Sequence, residues 1–333
     1  MENIRYGRKR RGLKRELNMK IDSWLESIED LKVRDAASKD VIVTGGSICS
    51  MLMGERVNDY DLYFRTKETT QLVAEYYVKS YNKNNKVIVA DGVESYIPVV
   101  INEDIANIKG GVENRIVIFM KSAGVCGENQ DKYYYFENMP KYYYFENMPK
   151  YYYFENMPSS AVDKFVGSLT VDSDDAVDDY RVIFMSQNAI TLSNKIQLVI
   201  RFYGEPDEIH DNYDFVHATC YFDYHNDILE FPADAMEAML SRTLIYKGSL
   251  YPVASIFRAK KFIERGWRIT AGQLLKIMWQ ISEIDLSDYE VLREQLTGVD
   301  AAYMYELINA LKGVDQTKIT STYVSSIIDK IFD

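Results

Sequence analysis

Residues 45–64 read GGSICSMLMGERVNDYDLYF, and the order of the parts in this stretch decides the fold. Two glycines and a serine open it. Asp59 and Asp61 stand near its end, one residue apart in an apolar, aromatic run. The preceding Val41-Ile42-Val43-Thr44 predicts a strand, a short helix follows through Leu52 and Met53, and Asp59 to Phe64 predicts a second strand. Side chains alternate along a strand, so Asp59 and Asp61 point the same way, about 6–7 Å apart. Two carboxylates that close oppose each other's ionisation. A divalent cation removes the difficulty, and Mg²⁺ (or Mn²⁺) suits two carboxylates while keeping room for waters and phosphate oxygens. Gly45 and Gly46 let a ligand approach the backbone closely. Ser47 falls where a helix begins, so its hydroxyl and the free N–H groups there can hold a phosphate.

Gly46-Ser47, eleven residues, then Asp59-Tyr60-Asp61 resembles the signature of the DNA polymerase β-like nucleotidyltransferase superfamily. That superfamily includes CCA-adding enzymes, poly(A) polymerases, antibiotic nucleotidyltransferases, cyclic-oligonucleotide synthases and toxin nucleotidyltransferases. The resemblance implies an α+β fold, a mixed sheet with flanking helices, and two-metal nucleotidyl transfer with release of pyrophosphate. Asp59 and Asp61 would hold both ions, while Gly45, Gly46 and Ser47 would position the phosphates of an NTP or dNTP. A third carboxylate is expected at the start of a later strand. Asp214-Phe215-Val216 meets that description, and Asp223, nine residues on, is the competitor. On an unbroken strand Asp223 faces away from Asp214, and Asp214 is favoured as the third metal ligand. Further on, SIFRAKKFIERGWRITAGQLLK (255–276) resembles the helix that follows the catalytic head in CCA-adding enzymes. Arg258, Lys261 and Arg265 share one helical face, which makes Arg258 and Lys261 nucleotide-binding candidates, with Phe262 and Ile263 packed inward.

The formal net charge of −11 argues against a surface broadly adapted to coat nucleic acid. The charge is uneven, however: residues 1–15 carry seven cations against Glu2 alone. A basic N-terminal arm is expected over 1–17, able to hold a phosphate backbone locally. The three cysteines are scattered without a CxxC pair, which reads as a reducing, cytoplasmic setting with no thiolate zinc site. Three histidines give no metal-ligand pair, and no apolar run reaches the length of a membrane span.

A nucleotidyltransferase domain is expected over 18–232 and an all-helical domain over 233–333. Periodicity predicts helices over 18–31 and 70–81, and strands at 86–90, 115–120 and 181–185. Two more strands should bracket the loop EPDEIHDNYD. An insertion at about 122–179 holds KYYYFENMP three times in succession, at 132–140, 141–149 and 150–158. Identical short copies point to duplication in a surface loop, and a Pro ending each copy prevents one continuous inner strand. Twelve aromatics in that block suit partner docking or a tyrosine acceptor. The leading function is transfer of a nucleoside monophosphate to an acceptor hydroxyl, on an RNA 3′ end or a protein side chain. The alternatives are synthesis of an oligonucleotide or cyclic nucleotide signal, and a non-catalytic interaction protein that keeps the fold.

Overall fold

The computed structural model describes residues 7–84, 180–186 and 188–286, with strand segments between 87 and 126 and a few residues between 288 and 326. In chain order come α1 (Arg10–Glu26), α2 (Leu31–Asp40), β1 (Val41–Thr44), α3 (Gly46–Leu52), β2 (Tyr60–Phe64) and α4 (Lys67–Asn84). The short strands β3 (Val87–Ile88) and β4 (Glu94–Ser95), then β5 (Val99–Ala106), β6 (Val112–Ile118) and β7 (Val125–Cys126), follow. After them run β8 (Val182–Met185), β9 (Ala189–Leu192), β10 (Ile196–Val199), α5 (Pro206–His210), a 3₁₀ turn (Val216–Ala218), β11 (Tyr221–Asp223) and β12 (Ile228–Glu230). Then come α6 (Ala233–Ser241), β13 (Thr243–Leu244), α7 (Pro252–Glu264), β14 (Arg268–Ile269) and α8 (Ala271–Ser282). The molecule is thus a mixed α+β protein. The repeats and most of the insertion lie outside the described residues.

Eight strands form one sheet in the order β12-β11-β1-β2-β10-β9-β8-β7. Within this sheet, among the described residues, only the β2–β10 pair is parallel; the other pairs are antiparallel. Alternation gives the sheet two unlike faces. Val41, Val43, Leu62, Phe64, Ile190, Leu192, Ile196 and Leu198 are buried on one face, in a core shared with Trp24, Val33, Val73 and Tyr77 of α1, α2 and α4. The Trp24 indole N–H donates to the Tyr77 hydroxyl at 2.8 Å inside that core. The opposite face carries Thr44, Asp61, Gln197 and Thr191 in one row, each level with its neighbour across β1, β2, β10 and β9.

The expected boundary between a basic arm and a first helix at 17/18 falls inside α1. Leu13 and Leu17 are fully buried, each contributing about 1.5–3 kcal/mol, and this draws the charged run into the helix. Arg10 donates to the Leu229 carbonyl and lies over the Phe231 ring. Lys14 pairs with Asp227 at 2.7 Å and Arg8 with Glu16. Part of the positive charge is therefore answered by the protein's own acids. Asp30 ends the link to α2 by accepting from the Lys32 and Val33 N–H groups, a helix N-cap.

Beyond residue 232 the described chain is not purely helical, because β13 and β14 pair in parallel. Leu244, Trp267 and Ile277 join the same apolar core as the sheet. Ile263, expected inward, is 47% exposed; the buried side of α7 is formed by Val253, Ala254, Phe257 and Ala259 instead.

Candidate functional site

Gly45 and Asp61 meet in one corner between the end of β1 and the start of β2, two inner strands of the sheet. Gly45 adopts φ 96°, a backbone region that favours glycine. A Cβ at this position would stand 2.7 Å from Asp61 Oδ2, so the missing side chain is what lets the turn lie against the carboxylate. Its N–H donates to the Ala218 carbonyl at 3.1 Å, tying the turn to the 3₁₀ segment that follows Asp214. A Cβ on Gly46 would meet nothing within 4 Å, so its outer side is open. Ser47 is 3% exposed and its hydroxyl has no hydrogen-bond partner among the described residues.

Asp61 is the second residue of β2, opposite Thr44, and Asp59 stands just before the strand. Burial, and then the charge of Asp59, push the Asp61 carboxyl well above the usual carboxylate range. Among the described residues no cation or hydrogen-bond donor is paired with that carboxylate. The neighbouring Tyr63 feels the same field: burial first, then Asp61, raise its hydroxyl pKa, Asp59 adds to this, and the Arg258 charge opposes it. Asp59, Asp61 and Arg258 therefore lie within electrostatic reach of one buried phenol.

Below Asp61 the sheet face is closed by polar and aromatic groups. Thr44 donates to the Cys220 carbonyl at 3.0 Å and meets His210 Nε2 at 2.8 Å. Burial, and then the Lys247 charge, depress the His210 pKa to about 4, so its ring is neutral near pH 7 and Nε2 can donate to Thr44. Tyr213 packs on both His210 and Tyr63.

Asp214 does not start a strand. It sits in a bend before an isolated bridge between Phe215 and Tyr246, and the 3₁₀ turn follows. Its carboxylate accepts from Arg258 Nε at 2.5 Å. Two residues expected in separate roles thus form one ion pair. Asp223 ends β11, 4% exposed, held by Arg65 and Asn226. Lys261 is exposed one turn beyond Arg258. Arg265 reaches Ser50 and Glu55, and Arg242 lies 3.8 Å from the same glutamate. Arg258 thus meets Asp214, while Arg265, at the C-terminal end of α7, reaches Ser50 on α3.

Gln197 was not singled out by the sequence. The register places it on β10 level with Asp61, and its amide donates to Thr191 Oγ1 at 3.5 Å. A polar residue between the fully buried Ile196 and Leu198 was a signal of an outward strand position. What the sequence did not contain was the partner strand. Among the described residues no three His, Cys, Asp or Glu side chains converge as a metal-ion cluster, and no helix is long and apolar enough to cross a membrane.

Comparison with known proteins adds three findings. The sequence profile described as Gabija anti-defense 2 family protein matches residues 15–242. A protein of Bacillus phage SPbetaL7 named Gabija anti-defense 2 is 23% identical over 141 residues, 42% of this chain and 34% of the relative. The match thus spans about a third of that relative's length. Among solved structures, the Thermotoga maritima CCA-adding enzyme complexed with tRNA is similar at a TM-score of 0.35 and 11% identity, over 93% of this chain and 68% of that one.

Proposed function

The chain belongs to the Gabija anti-defense 2 family, and from that premise we propose that it opposes the Gabija defence as a divalent-cation-dependent nucleotidyltransferase. It moves a nucleoside monophosphate from an NTP or dNTP to an acceptor hydroxyl, on an RNA 3′ end or a protein side chain, in the cytoplasm. The observation that carries this reading is the corner formed by Gly45 and Asp61. There a carboxyl driven towards protonation, with no cation among the described residues, abuts a positive-φ turn followed by a buried, unpartnered serine hydroxyl.

The donor set fits Mg²⁺ or Mn²⁺, since Asp59 and Asp61 offer hard oxygen ligands on one side of the chain. A bound cation neutralises charge on the α-phosphate and the leaving pyrophosphate. The chain's own residues do the rest. Gly45 and Gly46 leave room for phosphate oxygens to approach the backbone, and Ser47 Oγ donates to one of them. Arg258, held by Asp214, adds positive charge on that side of the site, and Lys261 extends that cationic edge. The ordered packing of Thr44, His210 and Tyr213 fixes the floor under Asp61.

Incubating the protein with each labelled NTP and dNTP and Mg²⁺, with and without total RNA or cell protein, tests the reading. Label transferred to RNA or protein by the wild type, and not by Asp61→Asn, is the expected result. Label joined only to other nucleotides would instead indicate an oligonucleotide or cyclic product. The Arg258–Asp214 pair favours a second reading, in which the protein binds a nucleotide and does not transfer it. Saturable nucleotide binding with no transferred label and no pyrophosphate would establish that alternative.

A further inference from the structure

Resting on the divalent-cation reading of the Asp59–Asp61 corner, we infer that the protein's own ligands hold one cation there, not two, with Gln197 as a neutral site residue where a third carboxylate would be needed.

Position comes first. A carboxylate that completes a two-ion site with Asp61 must project from the same face at the same level. The sheet offers two such places, one on each neighbouring strand, each about 4.8 Å from β2. On β1 the place belongs to Thr44, whose hydroxyl is committed to Cys220 and His210. On β10 it belongs to Gln197. Both are neutral.

Two further acids among the described residues are already compensated. Asp214 is paired with Arg258 and Asp223 with Arg65. Asp223 is also level with Tyr63, one side-chain repeat further along the sheet than Asp61. The lack of a three-acid cluster among the described residues agrees with this arrangement. Two carboxylates balance one divalent ion. A third carboxylate at residue 197, level with Asp61, would add a negative charge that a second cation must balance.

Gln197 is equipped for another task. Its amide carries donors and an acceptor, and among the described residues its one bond, to Thr191, is at the long limit of hydrogen-bond geometry. Half-buried and facing the corner, it can bind a sugar hydroxyl or a phosphate oxygen without ionising. Thr191 continues that neutral shelf along the sheet.

The test is a count of bound Mn²⁺ by electron paramagnetic resonance of the free ion, with the full chain and Mn²⁺ alone. Wild type should bind one ion per chain in the tight class, Asp61→Asn none, and Gln197→Glu, which keeps the side-chain length, two. The second ion in Gln197→Glu should bind at least about tenfold more tightly than any additional ion on the wild type. Gln197→Asp serves if the first variant does not fold. Two tight ions on the wild type, or one on folded Gln197→Glu and Gln197→Asp alike, overturns the inference and leaves the nucleotidyltransferase reading standing. No tight ion on the wild type overturns both.

Discussion

Asp61 and Asp223 lie on the two strands that flank β1 and leave the same face of the sheet, Asp61 opposite Thr44 and Asp223 opposite Ile42. Their electrostatics are opposite. At Asp223 burial raises the pKa, but hydrogen bonds from Asn226 and Arg65 outweigh it and hold the carboxyl below its usual range. At Asp61 burial and Asp59 act together and nothing among the described residues opposes them. The fold supplies a cation for the acid that locks β11 to the start of α4. It supplies none for the acid beside the glycine turn. A partly desolvated carboxyl without a counter-charge is costly, and the proposed function accounts for it through a bound divalent cation.

The largest effect should come from removing the arginine at the compensated acid. Arg65→Leu leaves Asp223 buried and charged, and chemical denaturation should show a loss of about 3–5 kcal/mol. Asp223→Asn should cost less, because no charge is stranded. A loss under about 1 kcal/mol in Arg65→Leu would remove the distinction between the two acids.

Acid should separate them next. His210 and His217 are buried, with pKa values depressed to about 4, in both cases chiefly by burial. Each keeps the native state from binding a proton that the unfolded chain takes up below about pH 6.5. Stability should therefore fall between about pH 6.5 and 4, by at most about 3 kcal/mol for each histidine. Asp223 has a depressed pKa, so it adds a further loss as pH falls through its folded value. Asp61 has the reverse sign: its raised pKa favours the native state at low pH, and that contribution is lost as pH rises. Asp61→Asn should flatten the neutral side of the profile and leave the acid limb unchanged. A shifted acid limb in that variant would contradict the assignment.

Smaller effects test the turn. Gly45→Ala must place a Cβ at positive φ and against Asp61, which should cost about 1–3 kcal/mol. Gly46→Ala has open space and a helical position, so its stability should stay within about 0.5 kcal/mol of wild type. Nucleotide affinity should nevertheless drop in Gly46→Ala if phosphate approaches that side, as a nucleotide titration would show. Equal stability losses at both glycines would mean that the turn has no open side.

How much of this was legible in the sequence follows from contact range. The Gly45–Asp61 corner spans fewer than twenty residues, and its strand, turn, helix and strand were readable because apolar spacing and glycines are local signals. The pairing of Asp214 with Arg258 joins a bend to a helix 44 residues on, and Gln197 meets Asp61 through a parallel crossover. Neither leaves a local signal. The α1 start was hidden for another reason: Leu13 and Leu17 are spaced for a helix, but seven cations around them read as a tail. Asp223 faces away from Asp214 only on an unbroken strand, and the 3₁₀ turn at Val216–Ala218 breaks it.

The most direct test of the central claim is the thermal unfolding midpoint of metal-free wild type, Asp61→Asn and Asp223→Asn, each with and without Mn²⁺. Without the ion, Asp61→Asn should melt above wild type, because the stranded carboxyl is gone. With Mn²⁺ at about one hundred times its dissociation constant, wild type and Asp223→Asn should gain about 2.7 kcal/mol, a rise on the order of 5 °C, and Asp61→Asn should not move. An equal rise in all three proteins, or no rise in wild type at saturating Mn²⁺, would contradict the claim that Asp61 waits for a cation.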